Sequence, residues 1–465
     1  MLTISHSNCN AQCDGIRRRD FITAGTLALG GFSLPWLLRN KAFGASNASY
    51  VKDKSVVLLF LSGGASHIET FSPNMQAPGP YHSVTGEVQT TLPGVTFGGT
   101  FPLLSRHAQK MAIVRSYQHP VADHVRAIKH VLNGGTDPDG RGNRGFSIGS
   151  AYTRLRGAND PQSGMPSYVL LNSAEVDPQY VNEKHRVESG SAPGPLGAAF
   201  APFDPGGQGA AQEDMLLNVP RERFHHRRRL LDDVDRLRRR LDQDRKLIAA
   251  DEYRIQAFDL VLGSAAQAFD LTREDPRLVQ RYDTSRFQVG KKEFRASALG
   301  HHFLTARRLV EVGCRFVTIQ SAGWDMHADG NNPGIKSGME MLGRPVDQAV
   351  STFLEDLEQR GMSDQVLLII TGDFGRTPTI NDRGGRDHWP RLCTLAFAGG
   401  GVTGQVIGRV ARNNDEPASD PISTSHLMGT VMHSMFDMGQ LRVARGVPRE
   451  LLRTLETTQP IPELL

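Results

Sequence analysis

The feature that most constrains this chain is a set of short runs dominated by apolar residues. They are SVVLLFL (55–61), MAIVR (111–115), PSYVLLN (166–172), CRFVTIQ (314–320), VLLII (366–370) and LCTLAFAGGG (392–401). A strand with one face in water alternates apolar and polar side chains, whereas a continuous Val/Ile/Leu run suits a strand covered on both faces. Between the fourth and fifth runs, Leu342, Val346, Ala349, Phe353, Leu354 and Leu357 fall on one helical face, which Gly361 closes. Strand, helix and strand at this spacing form a βαβ unit, hence a parallel sheet with a right-handed crossover. Residues 122–132 also read as a helix, and STSHLMGTVMHSMFDM (423–438) as another, capped by Ser or Thr. The fold class is therefore α/β, a mostly parallel sheet sandwiched between helices.

A chain of 465 residues has room for one large or two modest domains. We expect a single domain over 45–465, with an irregular and helical insert at about 173–300. Residues 173–215 are rich in Gly, Pro and Ala and carry little periodicity, so they read as an irregular excursion. In the arginine-rich stretch that follows, Leu230, Val234, Leu237 and Leu241 form a helical stripe while acids interleave with the bases. That pattern favours a solvated helix with i,i+4 ion pairs over an anion- or lipid-binding surface. The whole chain has 53 basic and 49 acidic residues, which gives no support to nucleic acid as a partner.

At the N-terminus, Arg18-Arg19-Asp20-Phe21-Ile22-Thr23 precedes the apolar AGTLALGGFSLPWLL (24–38), and small residues follow near Gly44 and Ala45. Paired arginines, a short apolar region and a cleavage site in this order read as a twin-arginine export signal, 1–44, rather than a buried helix. The run is too short and glycine-rich for a comfortable membrane span. The expectation is an exported protein, periplasmic or extracellular, handled by the twin-arginine export machinery and without a membrane anchor after signal removal. Cys9 and Cys13 would leave with the signal. Cys314 and Cys393 lie in apolar runs and read as buried thiols, and no C-x-x-C is present. A dinucleotide-dependent redox enzyme finds no support, because AGGGVTG (398–404) is not a G-x-G-x-x-G fingerprint.

Polar clusters follow four of the runs: Ser66, His67 and Glu69; Ser116, His119, Asp123 and His124; Asp325 and His327; and Asp373. Ligands of open parallel sheets bind beyond the carboxyl ends of the strands, so side chains distant in sequence can converge there. The segment TGDFGRTPTINDRGGRDHWP (371–390) supplies one wall. Asp325, His327, Asp373 and His388 are ligand types suited to Zn²⁺, Mn²⁺ or Fe. Such an ion would polarise an ester oxygen or activate water. Arg376 and Arg386 could clamp an anion bidentately, or could pair with aspartates to hold the loop.

GGASHIETF, VRSYQHPVADH…LNGG, GWDMH and TGDFGRTPTIN…GRDHWP resemble the bacterial domain-of-unknown-function family numbered 1501. Its members usually carry a twin-arginine signal, and it is placed in the alkaline-phosphatase-like superfamily with sulfatases and phosphodiesterases. The resemblance implies two divalent metals (Zn, Mn, Ca or Mg) and a nucleophile at the start of the helix after the second strand. Asp325, His327 and His388 match one metal site, and Asp373 matches the aspartate of the other. Ser62 stands where the superfamily has a first-strand aspartate, Phe374 where it has a histidine, and Glu69 where the family more often has Asp. Counting ten residues back from Gly134 reaches His124 rather than the Cys or Ser of sulfatases. His124 is thus a candidate ligand, nucleophile or general acid/base, Ser116 is the other nucleophile candidate, and His119 and Asp123 could orient either. His67, Glu69, Arg376 and Arg386 are candidates for contact with the anion. The implied activity is hydrolysis of a sulfate or phosphate ester, for example on a sulfated polysaccharide. The alternative is a non-catalytic exported binding protein on a degenerate scaffold.

Overall fold

In the computed structural model, described residues are 50–138, 140–141, 145–172, 180–205 and 265–465. The chain divides into a unit Met1–Ala45 and a unit Ser46–Leu465, and everything below concerns the second. The twin-arginine reading and the arginine-rich part of the insert lie outside the described residues. No helix among the described residues is long and apolar enough to cross a membrane.

The main sheet has seven strands: β1 (Ser55–Leu61), β2 (Met111–Val114), β3 (Tyr168–Leu171), β4 (Phe316–Ser321), β5 (Val366–Gly372), β6 (Leu395–Gly399) and β7 (Gln405–Ile407). Their order is β7-β2-β6-β5-β1-β4-β3. All neighbours pair in parallel except β6, which runs antiparallel to β2 and β5. The apolar runs are strands as expected, and the last of them reverses direction because it follows β5 without a crossover helix. β4 and β5 flank β1, so the helix joining them crosses over β1.

Every residue of β1 is buried. Val57, Leu59 and Leu61 enter one core, Val56, Leu58 and Phe60 the other, as the two-residue period of a strand requires. Burying each such side chain contributes roughly 1.5–3 kcal/mol, so these runs dominate the apolar drive to fold. One helical layer contains α1 (His124–Leu132), α2 (Ile148–Arg156) and α3 (Val181–Gly190), along with α6 (Thr424–Met435). The opposite layer contains α4 (Leu299–Glu311) and α5 (Arg344–Gln359), where Phe303 and Phe353 meet with ring centroids 5.2 Å apart. A turn of π-helix, Met339–Gly343, leads into α5.

α3 corrects the reading of 173–215 as irregular. Its sequence VNEKHRVESG buries only Glu183, Val187 and Gly190, too few for a visible stripe. Tertiary packing stabilises it: at Gly190 a Cβ would come within 2.8 Å of Leu132, so glycine lets α3 approach α1.

Candidate metal centre

Four segments leave the carboxyl edge of the sheet and meet. After β1 the chain turns through Ser62 and Gly63, and the Ser62 carbonyl accepts the Trp324 N–H at 3.0 Å, which brings the Asp325 segment beside it. Gly63 has φ +108°, and a Cβ there would lie 2.5 Å from the Asp325 nitrogen. Only glycine suits both the conformation and the contact. β5 delivers Asp373. Asp123 caps α1, its carboxylate accepting the Arg126 N–H at 3.1 Å, so that His124 is the first helical residue.

Asp325 lies among three imidazoles. Its Oδ1 is 3.0 Å from His327 Nε2 and 3.5 Å from His388 Nε2, and its Oδ2 is 3.4 Å from His124 Nε2. The Nε2 atoms of His327 and His388 are 2.9 Å apart. Each Nδ1 is held from behind: that of His124 by Asp373 Oδ2 at 2.5 Å, that of His327 by Asp387 at 2.9 Å, and that of His388 by the Ala122 carbonyl at 2.9 Å. An acceptor on Nδ1–H directs the Nε2 lone pair forward, the arrangement that orients metal-ligating histidines. His124 Nε2 is buried, with Asp325 Oδ2 in front of it at 3.4 Å. His124, Asp325 and His388 each offer a donor atom within 4.8 Å of the others, with His327 alongside. A divalent cation fits this donor set. Phe374, at the position of the expected histidine, packs on His124 and His388 as an apolar wall, with centroids 4.7 and 4.4 Å away.

Burial alone would raise the Asp325 pKa. Hydrogen bonds from His124, His327 and His388 and the charge of Arg376 outweigh it and hold the carboxyl well below its usual range. Burial likewise disfavours the His124 imidazolium, but the charge of Asp373 and the hydrogen bonds to Asp325 and Asp373 lift its pKa to about 9. The hydrogen bond to Asp325 raises His327, while burial and then the neighbouring Arg376 and His124 lower His388 despite its contact with Asp325.

The remaining candidates take different places. Asp373, expected as a ligand of a second ion, is fully buried with both oxygens used, Oδ1 by the Gly63 N–H at 3.0 Å and Oδ2 by His124. Its side chain orients the His124 imidazole. Arg376 is no anion clamp: its guanidinium donates to the Gly63, Gly64 and Arg386 carbonyls, to His327 Nε2 at 3.2 Å and to Asp325 Oδ1 at 2.5 Å. Glu69 and Arg386 form a fully buried ion pair of 2.8 Å. Glu69 also accepts from Ser83, Val84 and Thr85, and Arg386 donates to the Thr377, Pro378 and His82 carbonyls, so neither reaches a ligand. His67 is buried with Nε2 on the Asn414 carbonyl at 3.2 Å, and burial lowers its pKa to about 4. His119 Nε2–H donates to the Asp373 carbonyl at 2.6 Å; burial, with His130 nearby, brings it to about 3, so it acts as a neutral strut. Ser116 is buried against Gly408, and its Oγ makes no hydrogen bond. Asp123 is occupied as the cap of α1.

Sequence reasoning missed Glu183. It projects from α3, and its Oε2 accepts from Ser62 Oγ at 2.9 Å and from the Gly323 N–H at 3.0 Å. Burial raises its pKa to about 7, with a further push from Asp373. A carboxylate in a polar helical stretch carries no sequence mark of this contact. Asp387, the partner of His327 Nδ1, likewise carries no mark in the sequence that sets it apart from the other aspartates of its loop.

The sequence matches the family described as "Protein of unknown function (DUF1501)" over residues 53–454. The chain belongs to this family. No curated protein matches it in sequence. Among solved structures it is similar to the lipoteichoic acid synthase LtaP from Listeria monocytogenes, at 10% identity over 84% of this chain and 72% of that one, TM-score 0.36. The phosphonate monoester hydrolase SpPMH from Silicibacter pomeroyi is similar at 10% identity over 82% and 73%, TM-score 0.36. The alkaline phosphatase from the Antarctic bacterium TAB5 is similar at 11% identity over 88% and 99%, TM-score 0.32. At such scores the likeness carries no argument about activity, and the α/β assignment rests on the sheet itself.

Proposed function

We propose that this DUF1501 protein is an exported, metal-dependent hydrolase of sulfate or phosphate esters. The observation that carries the reading is the convergence of three imidazole Nε2 atoms on Asp325, each with its Nδ1 held by an acceptor. His124, Asp325 and His388, with His327 beside them, would hold the ion. The preponderance of imidazole suits Zn²⁺ or Mn²⁺ better than Ca²⁺ or Mg²⁺, which favour oxygen ligands. When bound, a divalent cation supplies Lewis acidity toward an ester oxygen. Asp373, Asp387 and the Ala122 carbonyl keep the rings aimed, and Phe374 keeps water from one side. Arg376 offsets part of the Asp325 charge. Among the described residues, no Ser, Thr or Cys side chain hydrogen-bonds to the cluster, so the nucleophile in this reading is water. The substrate would be an anionic ester, such as a sulfated polysaccharide, met after twin-arginine export.

Metal analysis of the purified protein and an ester panel test this. The expected result is about one divalent ion per chain, with turnover of a 4-nitrophenyl sulfate or phosphate that chelation abolishes and the metal restores. Substoichiometric metal together with no turnover on either ester defeats the proposal. One observation favours the alternative, a non-catalytic binding protein: Arg376 already engages Asp325 Oδ1 and His327 Nε2, two atoms a cation would use. That protein would bind anionic glycans without turnover.

A further inference from the structure

β4 ends at Ser321, whose carbonyl accepts the Ser62 N–H at 2.8 Å. Two residues on, Gly323 turns the chain at φ +94° toward Asp325, and its N–H is met by a side chain from another layer, Glu183 Oε2 at 3.0 Å. The same oxygen accepts the Ser62 O–H at 2.9 Å, while the Ser62 carbonyl accepts the Trp324 N–H at 3.0 Å. Gln320 Nε2 donates to Ser62 Oγ at 2.9 Å, so the Ser62 hydroxyl hydrogen is left for Glu183. The N–H groups of the two residues before Asp325 are therefore held, one by Glu183 and one by the residue that Glu183 binds. Tyr180, which precedes α3, adds a second contact to this turn: a Cβ on Gly323 would come within 2.8 Å of its ring. At its far end α3 lies against Ile128 and Leu132 of α1, the helix that begins with His124. Without Glu183 the buried donors of Ser62 and Gly323 would lose an acceptor, which is unfavourable enough to move the turn.

We propose that Glu183 is a positioning residue: by binding Gly323 and Ser62 it sets where Asp325 stands relative to His124 and His388. The consequence for an ion rests on the hydrolase proposal; the hold on the turn does not. The reach of the side chain matters more than its charge, because one oxygen accepts both bonds and an amide oxygen in its place accepts them equally. A side chain one methylene shorter keeps the charge but withdraws that oxygen by about 1.5 Å, beyond hydrogen-bond range.

The test compares Glu183→Asp, Glu183→Gln and Val187→Ala in the full-length protein. Val187 is buried on the same helix and takes no part in these hydrogen bonds, so its truncation loosens α3 alone. The readouts are Zn²⁺ calorimetry and amide deuterium exchange over residues 322–327 of the metal-free protein. Glu183→Asp should weaken Zn²⁺ and speed exchange, each about tenfold, while Glu183→Gln stays within about threefold of the parent in both. Val187→Ala should lower Tm and leave both near the parent. Parent-like values in Glu183→Asp, equal losses in Val187→Ala, or equal losses in Glu183→Gln overturn the inference. Should Glu183→Asp not fold, Ser62→Ala breaks the network at its other member; losses beyond those of Val187→Ala uphold the inference and parent-like values overturn it. Zn²⁺ binding with the expected losses but no turnover on any ester upholds the positioning role and sinks the hydrolase proposal. Turnover by the parent, with Glu183→Asp matching it in Zn²⁺ affinity and exchange, does the reverse. If the parent takes up no Zn²⁺, the hydrolase proposal falls and exchange alone decides the inference.

Discussion

Replacing Glu69 with alanine tests the reassignment of Glu69 and Arg386 from ligand contact to architecture. Both side chains are fully buried, and the substitution leaves the Arg386 guanidinium with its carbonyl acceptors but without its counter-charge. It also strips the acceptor from the Val84 and Thr85 N–H groups and the Ser83 and Thr85 hydroxyls. Breaking a buried ion pair on one side costs about 3–5 kcal/mol. With an unfolding entropy near 2.1 cal/mol/K per residue over roughly 420 residues, that lowers Tm by about 3–6 °C. Thermal and urea unfolding measure it. The double variant Glu69→Leu/Arg386→Met should recover much of the loss, since an apolar pair of similar volume is often neutral. Were Glu69 a substrate contact instead, Glu69→Ala would alter KM and leave Tm in place. An unchanged Tm refutes the architectural reading.

Asp373→Asn should lower Zn²⁺ or Mn²⁺ affinity about 10–100-fold in calorimetric titration, because the amide no longer enforces the His124 tautomer; unchanged affinity would show that Asp373 does not orient the ligand. Gly63→Ala forces a Cβ to 2.5 Å from the Asp325 nitrogen at a positive φ, and should destabilise by about 1–3 kcal/mol in urea melts while also weakening metal binding. Acid should destabilise the fold through His67 and His119. Their folded pKa values lie near 4 and 3, below the usual 6.5, so the unfolded chain takes up protons first as pH falls below 6.5. At pH 5 the two together cost about 4 kcal/mol. Glu183 opposes this: its folded pKa of about 7 lies above 4.5, so its contribution is present at low pH and lost as pH rises through 7. It returns at most about 3 kcal/mol between pH 7 and 5. Glu183→Gln should therefore show a steeper fall in Tm from pH 7 to 5 than the parent, and an equal or shallower fall contradicts the assignment.

The strands and the crossover helix α5 were legible because burial on two faces, or on one stripe, leaves a periodic mark in adjacent residues. Asp325, His327 and His388 stood out because each lies just past or within a loop at a strand end. The roles of Glu69, Asp373 and Glu183 were not legible, since their partners Arg386, Gly63 and Ser62 lie 317, 310 and 121 residues away. α3 was invisible because packing against α1, not its own pattern, stabilises it.

The sequence by itself determined a layered α/β sheet and the chemical types gathered at its carboxyl edge, because hydrophobic periodicity and strand-end position are local properties. Only the tertiary structure decided which carboxylates face an ion, which stand behind a histidine and which neutralise a buried arginine. An Asp or Glu has the same chemistry in all three roles, and what separates them is the partner that folding brings within hydrogen-bond reach.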